Sequence, residues 1–360
     1  MWSGYDLKTG PAASSTAHPC SSSIQQYECV RDCKRQVQPV PECGALWGKN
    51  LRLTLSRVAV LFLTVNLFGG ISGGHPNHHA EFLPSFEHIG MNIFVPVTIT
   101  GPKGRSETVD FILDSGSNST TIDSSVMLEL ALIPYRISRN LTASGTAIRN
   151  TTQISHFCSL SQCAENLEVL VDDLSLYTNG YGRRVAGLLA MDFLKEYILV
   201  IDFPNSKIGL FPADTELKYF AKSKMVSMIS DKNLALVEAV LPNGKIIRLI
   251  FDTGYDSLAD ALLYECASGE MSFVQTGNSE IKDQNGSYAT RFGTIQSLKI
   301  GEILLAPASV QLSKQVSAES STLEYGGMIG IFPFRDRMIA LDYPNLKLLV
   351  SIQSQPSSKE

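Results

Sequence analysis

Beyond residue 83 the chain alternates short apolar runs with polar turns, and the runs come in matched sets. Asn92–Thr98 and Leu234–Leu241 are apolar, strand-like segments. Each leads into a turn, Gly101-Pro-Lys-Gly104 or Pro242-Asn-Gly-Lys245, and then into a second apolar strand. Asn-Gly favours the backbone of a tight hairpin, so each set predicts a β-hairpin. The second strands align without a gap: Thr108-Val-Asp-Phe-Ile-Leu-Asp114-Ser-Gly116 with Ile246-Ile-Arg-Leu-Ile-Phe-Asp252-Thr-Gly254, 138 positions apart. A longer gapless match lies further on, at a shift of 140. Gly187-Leu-Leu-Ala-Met-Asp-Phe-Leu runs to Ile201-Asp-Phe-Pro-Asn-Ser-Lys207, and Gly327-Met-Ile-Gly-Ile-Phe-Pro-Phe runs to Leu341-Asp-Tyr-Pro-Asn-Leu-Lys347. Each half therefore ends in a glycine turn, a short helix, a strand, an Asp-aromatic-Pro-Asn turn and a final strand. Two matches in the same order mark an internal duplication. The prediction is a mostly all-β protein of two β-barrel-like lobes, 84–216 and 223–352, related by a pseudo-twofold axis with one cleft between them.

The first 83 residues break this pattern. Residues 1–50 are polar and low in periodicity, and they carry Cys20, Cys29, Cys33 and Cys43 without paired zinc-finger spacing. In segment 51–74 the basic residues Arg52 and Arg57 precede the apolar run Val58–Phe68 and the small-residue stretch Gly69–Gly74. That layout predicts a secretory signal and an exported, periplasmic or secreted product, with a buried helix or a signal anchor as the alternative. The run is about half the roughly 20 residues that span a bilayer. The 50 residues ahead of it are then expected to be absent from the mature protein, with the true start at or near Leu51. Export makes a Cys158–Cys163 disulfide plausible and leaves Cys266 as an apolar packing residue.

Across the whole chain, hydrophobic residues make up 44% and charged residues 18%, enough apolar material for packed cores. The net charge of -5 and the lack of a dense Lys/Arg stretch argue against nucleic acid as a partner. No phosphate-loop or dinucleotide glycine fingerprint occurs. The histidines His75, His78, His79 and His88 lie in a linker better read as solvated than metal-binding, and only His156 lies where a Ser-His-Asp arrangement could use it. No metal or cofactor is expected.

The candidate chemistry sits at the repeated triplets Asp114-Ser115-Gly116 and Asp252-Thr253-Gly254. One Asp-Ser/Thr-Gly triplet usually marks an ordinary turn. Two at equivalent places in a duplicated chain, each after an apolar strand, resemble the aspartic peptidases, both pepsin-like and retroviral-type. The Gly187–Leu194 segment is most similar to the retroviral branch, in which a dimer normally supplies one triplet per chain; here two fused halves supply both. The resemblance covers residues 88–350 and implies a bilobal acid-protease fold. It further implies an endopeptidase in which Asp114 and Asp252 share one proton and activate a water. The hydroxyls of Ser115 and Thr253 would cross-link the two active loops, and Gly116 and Gly254 would let the backbone turn closely. The implied partner is a peptide or protein substrate, and the protein would be a monomer with both lobes in one chain.

Substrate-covering hairpins are expected after each triplet, with tips at Ala143–Ala147 and Asn285–Ala289. Gly145 and Gly286 are candidate tip residues and Tyr288 a candidate substrate contact. Two departures from the family pattern stand out. Ala190 replaces the glycine that the second half keeps at Gly330. Tyr255 follows the second triplet where a small residue is usual, and it would narrow the cleft or displace a hydrogen bond to Asp252. These departures motivate the alternative reading, a catalytically inactive two-lobed peptide-binding protein.

Overall fold

The computed structural model describes residues 83–142, 145–283, 286–314 and 325–352. The leader 1–50 and the signal-like segment 51–74 lie outside the described residues. The first lobe is built on an eight-stranded sheet in the order Glu87–Ile89, Asn92–Thr100, Ser106–Leu113, Gly187–Leu189, Thr121–Asp123, Gln162–Asp172, Gly145–Ser159 and Arg136–Thr142. The second lobe repeats the same pairings. Ile246–Phe251 lies parallel to Tyr325–Ile329, which runs antiparallel to Ala261–Tyr264, which in turn lies parallel to Ala308–Ser313.

The register of the copies is the same. Phe111, Ile112 and Leu113 pair with Gly187, Leu188 and Leu189, and Leu249, Ile250 and Phe251 pair with Gly327, Met328 and Ile329. The turns repeat atom for atom. Gly104 N–H donates to Gly101 O at 3.0 Å and Gly244 N–H to Leu241 O at 2.9 Å. Asn205 and Asn345 each cap their own turn on the preceding Asp202 and Asp342, with N–H to Oδ1 distances of 3.2 and 3.1 Å. A short Asx-type turn forced by Asp-x-Pro-Asn explains why this motif was readable twice.

The closing hairpin of lobe one, Tyr197–Asp202 with Lys207–Pro212, does not stay with its own sheet. It pairs with Met338–Asp342 of lobe two, which continues through Lys347–Ser351 and Ser223–Asp231 into the second lobe's strands. Val200 and Ala340, equivalent residues of the two copies, lie opposite each other, so the pseudo-twofold axis passes between them. Buried Leu199, Ile201, Ile339 and Leu341 from this shared sheet join Phe111, Leu113, Leu249 and Phe251 in one apolar cluster that runs through both lobes. The lobes are thus packed into one body by area that neither could bury alone.

At Gly327 the backbone has φ +144°, and an added Cβ would fall 1.9 Å from Leu262 O. Its copy, Gly187, would place a Cβ 2.2 Å from the Phe111 ring. Gly327→Ala is expected to destabilise the protein by at least about 2–4 kcal/mol, because backbone cannot yield as a side chain can. Urea unfolding of the purified variant measures it, and a midpoint equal to wild type would refute the close approach.

Candidate active site

Both acidic residues stand at the end of a buried strand. Asp114 follows Ser106–Leu113, and its N–H donates to Leu189 O at 2.9 Å. Asp252 follows Ile246–Phe251, and its N–H donates to Ile329 O at 2.9 Å. The packed strands Phe111–Leu113 and Leu249–Phe251 fix where each chain emerges, and parallel pairing to a second strand prevents rotation of the exit.

The two loops are locked to each other by hydroxyls. Ser115 N–H donates to Thr253 Oγ1 at 2.9 Å, and Thr253 N–H donates to Ser115 Oγ at 3.0 Å. Each hydroxyl then donates its own proton across the axis, Ser115 Oγ to Phe251 O at 2.8 Å and Thr253 Oγ1 to Leu113 O at 2.9 Å. Both residues are fully buried, so every donor and acceptor in this set depends on its partner.

The glycines bring the acids together. A Cβ on Gly116 would fall 2.3 Å from Asp252 Cγ, and one on Gly254 would fall 2.9 Å from Asp114 Oδ1. Each carboxyl group therefore lies over the glycine of the opposite loop, where any side chain would collide with it. The carboxyl groups of Asp114 and Asp252 are hydrogen-bonded to one another. Gly254 N–H donates to Asp252 Oδ1 at 2.7 Å, and it and the N–H groups of Gly116 and Tyr255 pull this carboxyl down. Desolvation nevertheless dominates and pushes Asp252 up to about 6, above the 3.8 of a free side chain. The structure thus brings together all six residues expected at the centre: Asp114, Ser115, Gly116, Asp252, Thr253 and Gly254.

The two departures explain each other. The Tyr255 ring does not enter the cleft. It is buried within lobe two against Gly330, where a Cβ would fall 2.8 Å from Cδ1 of the ring. In lobe one the equivalent of Tyr255 is Ser117, whose small side chain leaves room for Ala190 at the position of Gly330. The N–H of Tyr255 donates to the Asp252 carbonyl at 3.4 Å, as that of Ser117 does to the Asp114 carbonyl.

The expected hairpins are present as Arg136–Thr142 with Gly145–Ser159 and as Phe273–Asp283 with Gly286–Ile295. Gly145 and Gly286 open the returning strands, next to tips that lie outside the described residues. Tyr288 is buried on the second hairpin, opposite Ile281. Cys158 and Cys163 form a disulfide across the turn at Leu160 and Ser161. Cys266 packs half-buried against Leu262 and Tyr264, but it is disulfide-bonded, which corrects its reading as a plain apolar filler. His156 pairs with Glu165 at 2.6 Å on the surface of lobe one. It lies beside Cys158 and Cys163, whose sulfurs are committed to their bond and offer no thiolate to a metal.

Three supports were not read from the sequence. Asp192 accepts from Thr120 N–H at 2.8 Å and from Thr120 Oγ1 at 2.5 Å, which holds the loop after Asp114 from below. Burial raises the Asp192 carboxyl, against the pull of these bonds. Asp256 reaches from the second loop to lobe one, accepting from Met91 N–H at 2.8 Å and Tyr181 Oη at 3.0 Å. Gln311 accepts from the Tyr255 hydroxyl beside the second loop. Asp256, four residues past Asp252, was the one with a visible signal: an acid next to a catalytic triplet.

Residues 95–193, within lobe one and including the first triplet, match a family model described as aspartyl protease. No curated protein matches the chain. Among solved structures, the aspartic proteinase from Irpex lacteus is similar at 13% identity and a TM-score of 0.45, covering 77% of this chain and 98% of that one. Conglutin gamma, a basic 7S globulin from lupine seeds, is 10% identical with a TM-score of 0.43, covering 76% and 94%. Basic 7S globulin from soybean is 9% identical with a TM-score of 0.43, over the same shares. The described chain is mostly β and folds as two lobes of matching topology, and the aspartyl protease match falls within the first.

Thr253→Ala removes two of the four cross-axis hydrogen bonds and leaves Ser115 N–H and Leu113 O buried without partners. The expected loss is about 2–4 kcal/mol, and Thr253→Ser should recover most of it. Chemical denaturation of both variants reads this, and equal stability of the two would argue against the hydroxyl's role. A second expectation follows from Asp252. Its folded pKa of about 6 lies above 3.8, so the folded state holds a proton that the unfolded state releases. Its contribution is full below about pH 4 and is lost as pH rises through about 6. Asp252→Asn should therefore be more stable than wild type at pH 7 by roughly 1–3 kcal/mol, with the gap closing towards pH 4. Thermal melts of both proteins across that range test the sign.

Proposed function

We propose that the chain is an aspartic endopeptidase that hydrolyses peptide bonds with a water activated by Asp114 and Asp252. The observation that carries this reading is the reciprocal placement of the two carboxyl groups over each other's glycine, hydrogen-bonded to one another. Two acids this close do not both ionise cheaply, so the pair holds one proton between them. The ionised oxygen takes a proton from a water, and that water's oxygen attacks the substrate carbonyl carbon. The protonated partner gives its proton to the carbonyl oxygen, forming a neutral tetrahedral diol. Collapse of the diol re-forms the carbonyl, passes a proton to the amide nitrogen and breaks the C–N bond. The titration belongs to the pair, so neither residue has a fixed role.

The substrate class is a peptide in extended form, lying in the cleft under the two hairpins. Both acids come from one chain, so a monomer suffices. The Cys158–Cys163 disulfide supports an oxidising, exported setting, in line with the signal-like segment 51–74. The family match across residues 95–193 supports the same chemistry for the lobe that holds Asp114.

Cleavage of a mixed peptide library by wild type is expected to be strongest in acid. It should decline as pH rises through about 6, where the pair loses its shared proton. Asp114→Asn and Asp252→Asn should each lower kcat/KM by about 10³-fold or more. Cleavage retained in either variant would remove the mechanism. Tight peptide binding by wild type with no cleavage at any pH would make the cleft a binding site instead.

A further inference from the structure

Tyr255 begins a chain of contacts that leads from the second catalytic loop to the lobe-two hairpin. Its N–H donates to the Asp252 main-chain carbonyl at 3.4 Å, and its hydroxyl donates to Gln311 Oε1. Ser257 Oγ donates to the same Gln311 oxygen at 3.2 Å. Gln311 Nε2 donates to Ser279 Oγ at 2.8 Å, and Ser279 shares a hydrogen bond of 2.6 Å with Thr290 Oγ1. Ser279 and Thr290 face each other on the two strands of the hairpin. Tyr255, Gln311 and Thr290 are 7%, 6% and 3% exposed, so water does not compete for these groups.

Among the described residues lobe one has no such connection. Ser117 stands at the position of Tyr255 and turns back on its own loop, its hydroxyl donating to Ser119 O at 3.2 Å. By strand register Leu170 stands at the position of Gln311 and has no polar group to continue a chain. The lobe-one hairpin keeps a hydroxyl pair of its own, Ser138 with Thr151 at 2.7 Å. Both hairpins also carry an ion pair near their bases, Arg149 with Asp172 at 2.5 Å and Arg291 with Glu265 at 2.8 Å. Those pairs are common to the two lobes, so the difference rests on Tyr255 and Gln311.

We infer that Tyr255 is a positioning residue that ties the Asp252 loop to the lobe-two hairpin through Gln311. That hairpin and the Asp252 loop are then held as one unit. The tie does not depend on the peptidase reading; its effect on turnover does.

The test is amide hydrogen exchange on wild type, Tyr255→Phe and Gln311→Met. Tyr255→Phe keeps the ring against Gly330 and removes only the hydroxyl, while Gln311→Met breaks the same chain from the other side. In wild type, amides of 136–142 and 147–155 are expected to exchange faster than those of 275–283 and 287–295. Either variant should speed exchange in the lobe-two hairpin at least about tenfold and leave lobe one unchanged. No change, or an equal change in both hairpins, would overturn the tie, and this outcome is readable whether or not any peptide is cleaved. If wild type cleaves peptide, Tyr255→Phe should lower kcat about fivefold with KM within about twofold. A raised KM at unchanged kcat would assign Tyr255 to substrate binding and overturn its positioning role.

Discussion

The structure depends on the reciprocal hydrogen bonds between Ser115 and Thr253. Four bonds of 2.8–3.0 Å join two loops that are 138 residues apart, and none of the groups involved has access to water. A buried hydroxyl that loses its partner carries the full cost of its desolvation, so the loops cannot drift apart by small steps. Because each bond runs from one half to the other, the grip sets the separation of Asp114 and Asp252 directly. The glycines follow from that separation, since each must pass beneath the opposite acid without a side chain.

The shared sheet supplies the frame in which the grip is possible. Val200 against Ala340 places the symmetry axis, and the strands on either side continue the core into both lobes. A cleft between two freely hinged domains would not hold two carboxyl groups in contact against their mutual repulsion. Here the repulsion and the desolvation are borne by the packing of the whole body, and the raised Asp252 is their local expression.

What could be read from sequence was what is local or repeated. The triplets, the Asn-Gly and Asp-x-Pro-Asn turns, the strand pairs and the Cys158–Cys163 bridge all depend on neighbours within a few residues, and duplication showed each major motif twice. The exchange of the Tyr197–Pro212 hairpin into a common sheet was not legible, because strand identity does not name the partner strand. Tyr255 was read as an intrusion because its size was visible but the direction of its ring was not. Only the fold shows that Gly330, 75 residues later, makes the space it fills. Thr120 with Asp192 and Tyr255 with Gln311 are likewise contacts between distant residues of ordinary type.

The same backbone supports the two acids by different means. Below the first loop, Thr120 donates twice to Asp192; the equivalent residues of lobe two, Ala261 and Phe332, are apolar. Beside the second loop, Tyr255 and Gln311 form a buried polar chain; the equivalent Ser117 and Leu170 do not. Asp256 reaches across to Met91 and Tyr181, while its counterpart Asn118 accepts from the adjacent Ser119. The symmetry is kept where two groups must meet at a fixed distance, and it is broken in the shell around them. Matched geometry at the axis lets the two carboxyl groups meet, and different contacts in each lobe hold the loops that carry them.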